Sequence, residues 1–279
     1  MPNLKQLKIR NSAITDLDWM ILVADVINQP KEFVYFHPEF SLNLKQYLRL
    51  LWLVKKYNQG YPIAYLIGRK EFYNLTFLVN KHTLIPRPDT ELMVDEAIKT
   101  INNTPSITLI DIGTGSGCVP IAILKNIKKE IPTIATDISS RALIVAQKNA
   151  ATHSVKIKFQ TGNLLNPIKQ KDIKTDNLII TANLPYLVLE QINKEKSIKR
   201  EPYSALYGGK DGLDLYRQLI NQITIFFKDN RQKNIFLLLE IDPDQNEIIK
   251  KIINQKIPSA TIKIRQDLAG LDRLVITKF

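Results

Sequence analysis

Cysteine is nearly missing from this 279-residue chain: Cys118 stands alone, so no internal disulfide can form and no cysteine-rich metal site can be built. That usage fits a reducing compartment. Histidine is scarce as well. His37, His82 and His153 lie far apart, none in a metal-ligand or nucleophile-triad spacing, and each reads as a surface or structural residue. No metal site is expected. Long apolar runs are missing too: Ile235–Leu239 and Leu178–Ile180 are far too short to cross a bilayer, and 1–13 holds no signal-type hydrophobic stretch. A cytoplasmic protein without a membrane role is the expectation. Internal repeats and low-complexity segments are absent.

Hydrophobic residues make up 44% of the chain and are spread throughout, so a packed core can form. The length suits one core of about 200 residues plus a smaller domain. The formal net charge of +12 would attract an acidic partner such as RNA. Lysine, isoleucine and asparagine recur in every region, however, which is the mark of composition bias and not of a binding stripe. Direct RNA binding is compatible with the sequence and not required by it.

The first 60 or so residues read as helices. Leu17, Met20, Ile21, Ala24 and Ile27 recur at helical spacing, and after Ser41 a second run places Leu44, Tyr47, Leu48, Leu51 and Trp52 on one face. Gly60 and Pro62 end it. Residues 72–79 read as a hairpin joining two domains, bounded by Pro86 and Pro88. From Asp89 onward short apolar runs alternate with helical ones, the pattern of a parallel sheet. Seven strands are predicted, over 108–112, 133–136, 156–160, 177–181, 234–240, 261–265 and 273–277. The link between the last two is too short for a helical crossover, so they should pair antiparallel. The expected division is a helical domain over 1–70, a hairpin linker over 71–88 and a Rossmann-like domain over 89–279.

Asp111-Ile112-Gly113-Thr114-Gly115-Ser116-Gly117 joins the first of these strands to a helix. Alternate glycines let backbone approach a ligand, and the helix start offers unpaired N–H groups. The dinucleotide form G-x-G-x-x-G fails because Cys118 stands where its last glycine would be, and a phosphate-loop lysine is absent. Asp137 closes the next strand, where an acid can accept from both ribose hydroxyls. Loop and acid together suit an adenosine without phosphates. Cys118 reads as a small packing residue.

The strand over 177–181 runs into Asn183-Leu184-Pro185-Tyr186. Ligands of open α/β sheets bind beyond the carboxyl ends of strands, where strand order reverses. A planar amide or arylamine nitrogen is a poor nucleophile, and its N–H donors need acceptors when buried. The Asn183 side-chain oxygen and the Leu184 carbonyl can supply them, Pro185 can fix the turn, and the Tyr186 ring can lie against a flat acceptor. Such a site needs positioning more than a base, because the proton can leave after transfer. The residues thus point to a methyltransferase using S-adenosylmethionine on a planar nitrogen.

At this point the chain resembles the protein-(glutamine-N5) methyltransferases of the HemK/PrmC family. The matching segments are Tyr65–Gly68 with Glu71-Phe72, Leu84–Glu91, Asp111–Gly117, Asn183–Tyr186, Glu201-Pro202 with Ala205-Leu206, Gly208–Leu213, and Asp267–Gly270 before Asp272-Arg273. They cover the chain from about residue 61 to its end; Pro86–Glu91 and Gly208–Leu213 are the specific ones. The resemblance implies a seven-stranded class I methyltransferase sheet of the α/β class, last strand antiparallel, with a small N-terminal helical domain. It implies methyl transfer to the glutamine of the Gly-Gly-Gln motif in class 1 peptide chain release factors, with S-adenosylhomocysteine as the other product. Gly113, Thr114, Gly115, Ser116, Gly117 and Asp137 would then bind the cofactor, with Asn163 and Leu164 near the adenine and Asn183 facing it. Asn183, Leu184, Pro185 and Tyr186 would hold the glutamine, and the N-terminal helices would contact the release factor of a monomeric enzyme. Arg87, set between two prolines, would anchor the site or the protein substrate.

Two positions depart from the family pattern. Leu184 replaces the first proline of Asn-Pro-Pro-Tyr, giving a string similar to that of ribosomal RNA adenine dimethyltransferases, and Asn163 stands where an acid is common. RNA adenine-N6 methylation is therefore the alternative. Pro86–Glu91, Gly208–Leu213 and the lack of a basic domain after the sheet weigh against it.

The cofactor expectation is open to calorimetry. S-adenosylmethionine should bind with the same affinity with or without a chelator; loss of binding on chelation would show that a metal takes part.

Overall fold

Sequences that are apolar on both faces of a strand belong in the middle of a sheet covered by helices on each side. Three such runs, β3 (Ile107–Ile112), β6 (Asn177–Ala182) and β7 (Asn234–Glu240), form its centre in the computed structural model, which describes residues 3–195, 198–228 and 234–279. Around them lie β4 (Thr133–Asp137), β5 (Lys158–Thr161), β8 (Thr261–Gln266) and β9 (Asp272–Lys278), in the order β5-β4-β3-β6-β7-β9-β8. The pairs from β5 to β7 are parallel, whereas β9 runs antiparallel to both β7 and β8. The chain builds outward from β3 through β4 to β5 and then returns to the other side of β3 as β6. Strand order reverses there, which opens a crevice above the carboxyl ends of β3 and β6.

By its internal contacts the chain falls into two units, Met1–Arg69 with Lys196–Arg200, and Lys70–Glu195 with Glu201–Phe279. The first unit holds α1 (Leu4–Arg10), α2 (Asp16–Ile27), α3 (Lys31–Phe36), α4 (Leu44–Asn58) and α5 (Ile63–Ile67). Asn3 and Asn43 begin α1 and α4 with reciprocal caps to Gln6 and Gln46, which satisfy backbone donors the helices leave orphaned. Its core gathers Leu4, Leu7, Trp19, Leu22, Leu50 and Leu53. The face of α4 that the spacing singles out is not the buried one. Leu50, Leu53 and Val54 are inside, while Leu44, Leu48, Leu51 and Trp52 are exposed. Apolar residues surround this helix on nearly every side, so periodicity marks a helix without choosing its face, and packing against α2 makes the choice. In α2 likewise Leu17 is exposed, and Trp19, Leu22, Val23 and Val26 fill the core.

A hairpin of β1 (Arg69–Phe72), all but its first residue in the second unit, and β2 (Leu75–Leu78) turns through Tyr73 and Asn74, both left-handed at φ 50° and 58°. Phe72 and Phe77 are buried among Met93, Val94, Leu109 and Ile179 beside the sheet. The remaining helices are α6 (Glu91–Asn102), α7 (Cys118–Asn126), α8 (Ser140–Thr152), α9 (Leu189–Lys194), α10 (Asp214–Phe226) and α11 (Asn246–Lys256). No helix among the described residues is long and apolar enough to cross a membrane.

Asn149 of α8, 1% exposed, ties the hairpin to the glycine loop. Its side chain accepts from the Leu78 N–H at 2.8 Å and donates to the carbonyls of Leu78 at 3.0 Å and Ser116 at 2.9 Å. Asn149→Ala strands these groups, so it should lower the unfolding free energy by roughly 2–4 kcal/mol. Urea denaturation reads this directly, and an unchanged midpoint would mean that water replaces the amide without cost.

Candidate active site

Beyond β3 the chain turns through Gly113, Gly115 and Gly117, all left-handed at φ 71°, 57° and 79°. Glycine is required here for space as well as for backbone. A Cβ at Gly117 would lie 3.2 Å from that of Ala146, while one at Gly113 would press on the Leu184 side chain at 3.0 Å. At Gly115 a Cβ would meet only the Gly113 carbonyl, at 4.0 Å, and would otherwise project into open space. Asp137, ending β4, clamps this loop: one carboxylate oxygen accepts the Gly115 N–H and the other the Ser139 N–H, each at 2.8 Å. Burial raises the Asp137 pKa and those two N–H groups oppose the rise. Each oxygen keeps a lone pair for a further donor.

A cavity of about 300 Å³ opens beside the loop, within the usual range of small-molecule sites. Gly113, Gly115, Asp137, Asn163, Leu164, Asn183, Leu184 and Pro185 all line it. A smaller cavity next to it is lined by Arg87, Thr90, Asp111, Thr114, Ser116 and Asn183, among others. Gly117 and Tyr186 line neither. The Tyr186 ring packs against the core and its hydroxyl donates to Glu240 at 3.3 Å. His82, which the sequence offers as a surface or structural residue, instead forms part of the larger cavity's wall.

Several positioning groups carry no signal in sequence spacing. Leu164 is left-handed at φ 54°, a strained state for a leucine, and the buried Thr136 hydroxyl holds its carbonyl at 2.9 Å. Tyr216 of α10 is fully buried beneath the acceptor loop. Its hydroxyl lies 3.2 Å from both the N–H and the carbonyl of Leu184, and it donates to the Glu240 carbonyl. Gly208 and Gly212 let a second loop press on the same segment: added Cβ atoms would fall 2.4 Å from the Pro185 carbonyl and 2.1 Å from that of Tyr186. Arg87 is paired internally, its guanidinium 2.5 Å from Glu201, a buried acid that also accepts the Ile85 N–H at 3.0 Å. Burial pushes the Cys118 thiol up to about 12, so the helix start does not generate a thiolate. No cluster of His, Cys, Asp or Glu suited to a metal ion occurs among the described residues.

Asp111 sits beneath the glycine loop, 3% exposed, and accepts the Thr181 hydroxyl at 2.6 Å. Burial pushes its carboxyl up to about 7, with neighbouring hydroxyls opposing the rise. The folded chain therefore keeps a proton that the unfolded chain gives up above about pH 4. This group's contribution to stability falls as pH rises from about 4 through about 7, where the native state binds more protons than the unfolded one. Without cofactor, the thermal midpoint should drop between about pH 5 and pH 8, and Asp111→Asn should flatten that drop. An unchanged slope in the variant would show that Asp111 ionises freely.

Two families match the chain: the PrmC N-terminal domain over residues 4–68 and the Methyltransferase small domain over residues 90–195. Release factor glutamine methyltransferases from several bacteria are similar along most of its length. That of Enterococcus faecalis is 36% identical over 78% of this chain and 76% of its own. For Dictyoglomus turgidum the figures are 33%, 93% and 89%, and for Coxiella burnetii 33%, 99% and 96%. Among solved structures, the hMettl16 catalytic domain in complex with the MAT2A 3′UTR hairpin 6 is 15% identical with a TM-score of 0.53, covering 90% of this chain and 93% of that one. A methyltransferase from Pyrococcus furiosus is 16% identical with a TM-score of 0.50, covering 84% and 97%. At such identities these two share the fold alone. The strand order, the glycine loop with its acid and the full-length similarity lead to one assignment: the chain belongs to the release factor glutamine methyltransferase family.

Proposed function

We propose that this enzyme transfers the methyl group of S-adenosylmethionine to the side-chain N5 of the Gly-Gly-Gln glutamine in a class 1 peptide chain release factor. The observation that carries the reading is the sharing of one cavity by the Gly113–Gly115 turn, Asp137 and the Asn183–Pro185 segment. The residues fit the cofactor. Asp137 offers lone pairs to ribose hydroxyls, and Gly115 leaves the space a side chain would fill. Asn163 and Leu164 would border the adenine. When bound, the cofactor supplies an activated methyl group on sulfur and leaves as S-adenosylhomocysteine.

Everything else falls to side chains already in place. Asn183 donates one N–H to Thr90 at 3.1 Å, which leaves its oxygen to accept from the substrate amide. The Leu184 carbonyl has a second lone pair beyond its contact with Tyr216 and would take the other N–H. Two acceptors at fixed positions set the plane of the amide and hold its nitrogen toward the methyl donor, which is catalysis by orientation. Pro185 stiffens the turn. Tyr186, away from the cavities, packs against the core and holds the end of the segment in place. Arg87, through Glu201, braces the Pro86–Glu91 segment and so bears on the protein substrate indirectly.

The alternative, an RNA adenine, would place its amino group on the same acceptors. Labelled S-adenosylmethionine incubated with the enzyme and either a release factor or ribosomal RNA decides between them. The label should enter the release factor, and Asn183→Ala should lower the single-turnover rate by roughly 100- to 1,000-fold, the typical loss for one preorganised polar group. Label in the RNA alone would overturn the proposal, and an unimpaired Asn183→Ala would remove the acceptor assignment.

A further inference from the structure

The backbone that carries Asn183 and Leu184 is fastened at its far end by a side chain from another part of the fold. Gln245, 6% exposed, immediately precedes α11. Its Nε2 donates to the Tyr186 carbonyl at 2.9 Å and to the Asp211 carbonyl at 3.1 Å, while its Oε1 accepts the Asp242 N–H at 3.1 Å. A backbone carbonyl only accepts and a backbone N–H only donates, so these three groups fix which end of the amide points which way. Both Nε2 protons are engaged. A neutral side chain of this length with two donors and an acceptor is found only in glutamine.

The two carbonyls belong to segments that both reach the larger cavity. Tyr186 ends the segment whose Asn183, Leu184 and Pro185 line it, and Asp211 lies within 202–213, whose Pro202, Ser204 and Ala205 line it too. One residue beyond Tyr186 the segments pair through backbone: Leu187 donates to the Leu206 carbonyl and accepts from the Gly208 N–H, each at 3.0 Å. At Tyr186 the link is the side chain of Gln245. Gly212 lets it close, since a Cβ there would fall 2.1 Å from the Tyr186 carbonyl and 2.2 Å from the Gln245 Nε2. Two carbonyls thus converge on one nitrogen, and without it both would be left short of a donor in a buried place.

We propose that Gln245 is a positioning residue for methyl transfer: its amide staples the end of the acceptor segment to the 202–213 segment and so holds Asn183 and Leu184 at the orientation the acceptor nitrogen requires. The proposal rests on the glutamine-methylating reading above. Gln245 touches no reacting atom. Its bonds act on the acceptor side of the cavity, so its removal should lower the rate and spare cofactor affinity.

The staple is tested in two arms. In protein carrying 13C in tyrosine carbonyls and 15N in leucine, the Tyr186–Leu187 pair gives a carbonyl resonance identified by its loss in Tyr186→Phe. That resonance should shift in Gln245→Met, which keeps the length of the side chain and lacks its donors. In methylation of release factor, Gln245→Met should lower kcat by roughly 10- to 100-fold, with KM and cofactor Kd little changed. Gln245→Glu turns a carboxylate on the two carbonyls, so its kcat should fall further at about pH 8 and recover, relative to wild type, toward about pH 6 as the buried acid takes up a proton and can donate again. An unmoved carbonyl resonance, a wild-type kcat in both variants, a Gln245→Glu rate with the pH profile of the wild type, or a defect confined to cofactor affinity overturns the proposal. Should the wild-type enzyme transfer no methyl group to a release factor, the functional reading fails, while the carbonyl resonance still decides the staple.

Discussion

The register of β3 against β6 is the constraint on which the site depends. Asp111 stands opposite Thr181 and Ile112 opposite Ala182, and the Thr181 hydroxyl closes on the Asp111 carboxylate at 2.6 Å inside the sheet. The two strands therefore end level, and the loops that leave them, one bearing the glycines and the other Asn183, diverge on either side of a common crevice. Because side chains alternate across a sheet, a slip of one residue would turn Thr181 away from Asp111 and carry Asn183 to the other face. The apolar residues of β3, β6 and β7 resist such a slip, since both faces are buried and any shift exposes core.

Carboxyls collect at this edge of the sheet because parallel strands deliver their ends, and whatever residues follow, to one place. Asp111 near the end of β3 and Glu240 at the end of β7, with β6 between them, are nearly inaccessible and are both pushed up to about 7 by burial. Left-handed Leu164 adds strain nearby. Such features are tolerated where the surroundings over-determine them, and here the surroundings are plain: one buried cluster extends from Ile110 through Leu184 and Tyr216 to Ile253. Gly208 and Gly212 belong to the same support. They admit a loop so close to the acceptor segment that any side chain would collide with its carbonyls, and Gln245 bonds the Tyr186 carbonyl at 2.9 Å from behind.

Much of this was legible in the sequence. The seven strands showed as apolar runs, the antiparallel ending followed from a link too short for a crossover, and the glycine loop with Asp137 marked residues that line one cavity. Each is a local property, readable from neighbours in the chain. What stayed hidden depends on residues that only folding brings together. Arg87 meets Glu201 from 114 positions away, Tyr216 of α10 reaches the Leu184 loop across 32, and Thr90 meets Asn183 across 93. No spacing rule predicts such pairs. The buried face of α4 stayed hidden for a different reason, because a helix apolar on several sides carries too little asymmetry to choose one.

Leu184 shows how little a four-residue string says about the group it handles. As a string, Asn-Leu-Pro-Tyr is shared with enzymes acting on RNA adenine, and proline would have been the expected neighbour of Asn183. In the folded chain the leucine has two local consequences, neither of which concerns RNA. Its side chain, 3% exposed, rests against Gly113, so that the acceptor segment and the glycine loop support each other directly. Its N–H, which proline would lack, lies 3.2 Å from the Tyr216 hydroxyl and adds a hold on the backbone of this segment. Proline achieves stiffness by restricting φ; here a leucine achieves it by packing and one hydrogen bond. The two acceptors assigned to the amide nitrogen in the proposal would be the same in either case, because one is a carbonyl that every residue carries and the other belongs to Asn183.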